Sequence, residues 1–151
     1  MTTTSGDAPR ASVATGGRGM VVAGSREAAQ VAWQALDGGG TVVDAAVAGA
    51  AVLAVTQPQA CTLGGDAFIL VHDARSGRTE GLNASGPAPQ LALRSAFAGE
   101  IPQRGARAAN VPGVVAGWHA LHARYGRRSW PALLAPAIAL AREGFAASPG
   151  F

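Results

Sequence analysis

The sequence predicts an α+β fold, and three features carry that reading. An apolar run over 42–55 opens with a helix capping box. Two short runs, 67–72 and 78–83, flank a Ser-Gly turn. Val114, Trp118, Leu121 and Tyr125 recur at steps of four, three and four, which is one face of an amphipathic helix. Apolar residues make up 48% of the chain and charged residues 14%, so a core can form and the composition is not that of a disordered protein. The 151 residues are room for one domain or for a piece of a larger one.

Taken in order, residues 1–18 are polar, with neither a basic n-region nor an apolar h-region. They are expected to be a disordered tail rather than a secretory signal, and the location expected is cytoplasmic. Residues 19–151 are expected to form one unit. Met20-Val21-Val22-Ala23 reads as a short buried strand ending at Gly24. Ser25 caps a helix running to about Leu36, with Glu27 in its first turn, Val31, Ala32 and Leu36 as its apolar stripe, and Gly38-Gly39-Gly40 as its stop. Thr41 and Asp44 form the capping box of the next helix. That helix is apolar on almost all sides and must be covered on most of them. Gln57-Pro58 ends it.

Ala67–His72 and Arg78–Asn83 read as the strands of a hairpin, and Ser85-Gly86-Pro87-Ala88-Pro89 turns the chain away. A short helix is expected over 91–98 and a brief strand over 108–111. Val114–Tyr125 forms a helix stopped by Gly126. Ser129 caps a last segment with Pro131 in its first turn; Pro136 is expected to kink or restart it near Leu134, and Gly144 to close it.

Composition excludes several chemistries. All 12 basic residues are Arg, so no Walker loop, kinase lysine or pyridoxal Schiff base can be built from this chain. The net charge is +3 and the arginines are scattered without an aromatic platform, which argues against nucleic-acid binding. The longest apolar stretch, 45–56, is too short to span a bilayer, so no membrane partner is expected. A single Cys excludes an intrachain disulfide and a cysteine metal cluster. His119 and His122 can share a helix face, but no third ligand clusters with them, and neither metal nor cofactor is expected.

The loop Cys61-Thr62-Leu63-Gly64-Gly65-Asp66 lacks the dinucleotide fingerprint and leads into a strand; Gly17-Arg18-Gly19 fails as well, with Val at position 22. The loop glycines read as sites of close backbone approach or of positive φ. Asp66 reads as a loop-organising acceptor, a strand-start charge or a general base. Cys61 reads as a small buried residue or as a nucleophile without an identifiable base. No complete catalytic constellation emerges, and no catalytic residue is assigned within the chain.

Several segments, in order, resemble another pattern. Gly39-Gly40-Thr41-Val42-Val43-Asp44-Ala45-Ala46-Val47-Ala48 is similar to the GGNAVDAAVA helix start of the gamma-glutamyltransferase family. Leu63-Gly64-Gly65-Asp66-Ala67-Phe68 resembles that family's glycine loop and strand, in the GGDxF form of its acylase-like branch. Asn83–Pro89 resembles its substrate-binding turn. Val111-Pro112-Gly113, Trp130–Leu134, Pro136-Ala137-Ile138 and Glu143-Gly144-Phe145 complete the pattern, which covers Gly19–Phe145. The resemblance implies part of a four-layer αββα N-terminal-nucleophile hydrolase sandwich, from the front of the large subunit. It implies a precursor that cleaves itself so that a new N-terminal Thr attacks a gamma-glutamyl or related acyl amide. That Thr would lie beyond this chain, and Thr2, Thr3 and Thr4 are no substitutes. The partners implied are the small-molecule amide, the remaining large-subunit chain and a Thr-led small subunit.

The resemblance also implies a substrate-binding site at Ser85 and Gly86. In the family's R-E-x-A-P turn an Arg pairs with the substrate α-carboxylate, a match suited to its planar fork. Aligned on Ala88-Pro89, Ser85 occupies the Arg position and Gly86 the Glu position. In the related S-G-R-A-P turn an Arg stands where this chain has Pro87. Ser85 can hydrogen-bond but cannot neutralise a carboxylate; Arg104 or Arg107 would have to reach in. Two alternatives follow: an amidohydrolase or acylase of the same fold with a non-glutamyl substrate, and an inert truncated or stand-alone interaction module.

Overall fold

The computed structural model describes residues 15–97 and 99–147. Most of the expected tail, 1–14, lies outside the described residues. The elements in chain order are α1 (Arg26–Asp37), α2 (Val42–Thr56), β1 (Phe68–Asp73), β2 (Arg78–Asn83), α3 (Val114–Tyr125) and α4 (Trp130–Glu143), with two short 3₁₀ turns between β2 and α3.

Helix α2 is the centre of the core. It packs on α1, α3 and α4, and Val47 and Val52 lie fully buried beside Leu133 of α4. Burying each such side chain stabilises the fold by roughly 1.5–3 kcal/mol. Small residues set the spacing: a methyl added at Gly49 would stand 3.1 Å from the Ala32 methyl of α1. The predicted α1 stripe shifts slightly, with Ala28, Ala32 and Ala35 buried. Ser25 accepts from the Ala28 N–H as its cap, and Gly39, at φ 85°, turns the chain out of α1.

The hairpin appears as expected, with β2 at Arg78–Asn83 and β1 displaced by one residue at each end, to Phe68–Asp73. Antiparallel pairing runs from Phe68 opposite Asn83 to Asp73 opposite Arg78, and Gly77 takes φ 68° in the turn. Ile69, Val71 and Leu82 face the core. Phe68 and Leu70 point the other way and are 75% and 79% exposed.

Four expectations are corrected. Met20–Ala23 is extended but not a strand, because the one ladder among the described residues joins β1 to β2. Val21 and Ala23 pack on the core while Val22 is 90% exposed. The helix expected over 91–98 is reduced to a 3₁₀ turn at Arg94–Ala96 without a side-chain cap, since Leu91 and Leu93 find nothing to bury against. The strand expected over 108–111 is a 3₁₀ turn at Ala106–Ala108 followed by extended chain. Its one backbone bond to the neighbouring turn, Val111 N–H to the Pro87 carbonyl, does not make a ladder. Pro136 does not restart α4. The helix runs through it, from Trp130 to Glu143. Ser129 precedes α4 without a side-chain cap; its carbonyl accepts from Ala132 and Leu133. Gly144, at φ 85°, ends the helix.

The loop between α1 and α2 meets the loop between α3 and α4 at Asp44, which is fully buried. Its carboxylate accepts from the Thr41 N–H at 2.7 Å, closing the capping box, and from the Arg127 and Arg128 N–H groups at 3.1 and 3.3 Å. The two arginines reciprocate: Arg127 donates to the Gly39 carbonyl and Arg128 to the Gly38 carbonyl, at the C-terminal end of α1. His122 Nε2 lies 2.8 Å from the Arg128 carbonyl, and a carbonyl only accepts, so this nitrogen carries the proton.

Burial alone would raise the Asp44 pKa, but hydrogen bonds from Thr41, Arg127 and Arg128 outweigh it and hold the group below an ordinary aspartate. A depressed folded-state pKa contributes stability that is complete above the unfolded value. That stability is lost as pH falls from about 4 through the folded pKa. Asp44→Asn is expected to lower the unfolding free energy by about 2 kcal/mol at neutral pH. It should also flatten the loss of stability below about pH 4. Urea melts of both proteins across that range check this; an unchanged acid limb would assign it to another carboxylate.

Candidate functional site

Beyond the hairpin the ladder gains one more pair, Ala67 with Ala84, and then the chain turns. Asn83 Oδ1 accepts from the Ser85 N–H at 2.9 Å, a local Asx turn. Asp66 Oδ1 accepts from the Gly86 N–H at 3.3 Å and from Asn110 Nδ2 at 3.1 Å. Asn110 Nδ2 also lies 3.3 Å from the Gly86 carbonyl. The Pro87 carbonyl receives the Val111 N–H. Ser85 and Gly86 are thus half-buried residues of a turn fixed from both sides, by the loop before β1 and by the strap before α3.

Close approach explains the glycines here. A Cβ at Gly86 would sit 1.4 Å from the Val111 carbonyl oxygen. One at Gly113 would sit 2.3 Å from the Ala84 oxygen, and one at Gly117 2.2 Å from the Ala84 methyl. Helix α3 therefore starts directly under the turn. The Gly65 carbonyl accepts from the Gly113 and Val114 N–H groups at 3.2 and 3.0 Å, taking the place of a side-chain cap.

Of the readings open for Asp66, the structure selects the loop-organising acceptor. Gly64 and Gly65 do not need positive φ. Cys61 is half-buried near the loop's start, and its N–H bonds to the Gln57 carbonyl. His119 and His122 both meet Trp130 edge-on, with ring centroids 5.6 and 5.4 Å apart. Among the described residues no group of three or more His, Cys, Asp or Glu is placed to hold a metal, and no helix is long and apolar enough to cross a membrane. Arg107 donates to the Ala96 carbonyl and lies 5.3 Å over the Phe97 ring. Asn110 was not visible as a site residue: its partner Asp66 lies 44 positions away and no local motif marks it. The arrangement fixes the Ser85–Gly86 turn from two sides, and its described residues include no paired nucleophile and base.

The architecture is that of solved relatives. It superposes on the gamma-glutamyltranspeptidase from Pseudomonas nitroreducens with a TM-score of 0.82 at 38% identity, covering 90% of this chain and 42% of that one. It superposes on the cephalosporin acylase from Bacillus halodurans with a TM-score of 0.76 at 38% identity, covering 82% of this chain and 24% of that one. The fold is accordingly part of the αββα sandwich of the N-terminal-nucleophile hydrolases. The family model described as gamma-glutamyltranspeptidase matches residues 28–151, and the chain belongs to that family. The glutathione hydrolase proenzyme of Pseudomonas aeruginosa is 40% identical over 134 residues, which are 84% of this chain and 24% of that protein. The chain thus spans about a quarter of that relative's length.

Gly86→Ala is expected to cost roughly 3 kcal/mol, because the obstructing atom is backbone and cannot swing aside. Asn110→Ala, which removes bonds at a partly exposed group, should cost about 1 kcal/mol. Thermal and urea melts of the two variants check both the size and the order.

Proposed function

We propose that this chain is the front of the large subunit of an enzyme that transfers or hydrolyses a gamma-glutamyl or related acyl amide, with Ser85 and Gly86 lining the acyl site. The observation that carries the proposal is the turn itself. In a chain of this family, the segment matching the substrate-binding turn is fixed by Asp66, Asn110 and Val111 from two sides. Rigid placement of a binding group is what acyl positioning requires. The word proenzyme in the name of the Pseudomonas aeruginosa relative supports a processed precursor.

The nucleophile is then a Thr made N-terminal by cleavage, beyond residue 151. Its hydroxyl oxygen attacks the amide carbonyl while its own α-amine takes the hydroxyl proton. The proton passes to the departing amine, the C–N bond breaks, and an ester remains on Thr. Water or an amino acid's amine attacks that ester and restores the hydroxyl. The uncovered apolar surface is the seat for the rest of the assembly. It includes Phe68 and Leu70 on the hairpin and a 280 Å³ cleft lined by Leu63, Trp118, Trp130, Leu134 and Ile138.

A second reading, an acylase with a non-glutamyl substrate, is favoured by one observation. The turn carries Ser85 and Pro87 where arginines hold the α-carboxylate in the family pattern, and Arg107 is engaged with Ala96 and Phe97. The resemblance to a cephalosporin acylase agrees with it.

The 151-residue chain alone should release no product from a gamma-glutamyl anilide and should bind ANS through its uncovered apolar faces. Turnover surviving further purification would place a nucleophile inside the chain. In the full-length enzyme, Ser85→Arg should raise kcat/KM for gamma-glutamyl over simple amides by roughly 10–100-fold, the worth of a well-formed charged hydrogen bond. An unchanged preference would show that the turn does not face the acyl group.

A further inference from the structure

We infer that Asp66 is a specificity-determining residue of the acyl site, selecting against an acyl chain that ends in a carboxylate and for one that is neutral or cationic there. The inference rests on the acyl-transfer reading above and names the charge its substrate carries.

The Asp66 side chain is exposed, and both of its hydrogen bonds, from the Gly86 N–H and Asn110 Nδ2, fall on Oδ1. A negative charge therefore stands beside the turn that meets the acyl group. The side chains of Arg18, Arg107, Arg124, Arg127 and Arg128 bond to Asp37, Ala96, Glu80, Gly39 and Gly38, and among the described residues no arginine side chain bonds into the turn. The N-terminus of α3, which would ordinarily attract an anion, gives its Gly113 and Val114 N–H groups to the Gly65 carbonyl. Asn110 is neutral, and its amide is turned to Asp66 and the Gly86 carbonyl. Asp66 is the charged side chain bonded to the turn. A substrate carboxylate brought within several ångströms would be repelled, and an ammonium drawn in.

The charge can be removed without removing the support. Asp66→Asn keeps an oxygen that can accept from Gly86 and Asn110, so the turn retains its ties, whereas Asp66→Ala loses both charge and ties. The test uses the full-length enzyme with the gamma-glutamyl anilide and with anilides of pentanoic, glutaric and 4-aminobutyric acids, the last three equal in length and different in terminal charge. In the wild type, kcat/KM for the pentanoyl and 4-aminobutyryl anilides should exceed that for the glutaryl anilide by roughly tenfold or more. In Asp66→Asn the glutaryl-to-pentanoyl ratio should rise about tenfold and the 4-aminobutyryl-to-pentanoyl ratio should fall. A role in positioning alone would lower all three rates together, and that result would overturn the inference. So would wild-type preference for the glutaryl anilide, which leaves the acyl-transfer reading standing. Failure to cleave any of the four anilides would instead overturn the acyl-transfer reading, and the inference with it.

Discussion

A single buried carboxylate organises the helical half of this protein. Asp44 sits where two inter-helix loops converge, and its oxygens gather N–H groups from Thr41, Arg127 and Arg128. A buried charge is costly unless it is fully bonded, and here every buried polar side-chain atom among the described residues has a partner. The same two arginines return their guanidinium groups to carbonyls at the end of α1. Four helices are thereby tied at one point, although α2 itself offers almost no polar side chain for the purpose.

That clamp reaches the candidate site through α3. The helix ends at Gly126, next to the residues that bond Asp44, and begins at Val114 under the Ser85–Gly86 turn. It is held at its far end by Asp44 and at its near end by the Gly65 carbonyl and the contact of Gly117 with Ala84. Glu80 of β2 adds a lateral tie, accepting from Arg124 and from the Tyr125 hydroxyl. The turn is a surface feature standing on a rigid strut.

Much of the fold was legible because it rests on local rules. The capping box at Thr41 and Asp44, the glycine stops after α1 and α4, the hairpin and the spacing along α3 all involve residues within a few positions of one another. What failed was what depends on distant partners. Met20–Ala23 has a strand's alternation, with Val21 and Ala23 inward, but a strand also needs a neighbour to bond. Leu91–Ala96 has apolar residues without a surface to cover. Asp44 was readable as a cap, yet its bonds to Arg127 and Arg128 lie more than eighty positions away. The site divides in the same way. Ser85 and Gly86 are named as substrate-binding only by the family resemblance, whereas Asn110, bonded to Asp66 across 44 positions, left no local trace.

The contact at Gly86 limits how such a turn can change over time. With the Val111 carbonyl oxygen 1.4 Å from where a Cβ would stand, any side chain there requires the strap at 110–113 to move in the same step. Ser85 and Pro87 lie on either side and already carry side chains. Changes of side chain in the turn are therefore reachable by single substitutions at those two flanking positions, while the central one is closed to descent by one change at a time. A lineage could rewrite the charge of this turn at positions 85 and 87 and still keep the backbone that carries it.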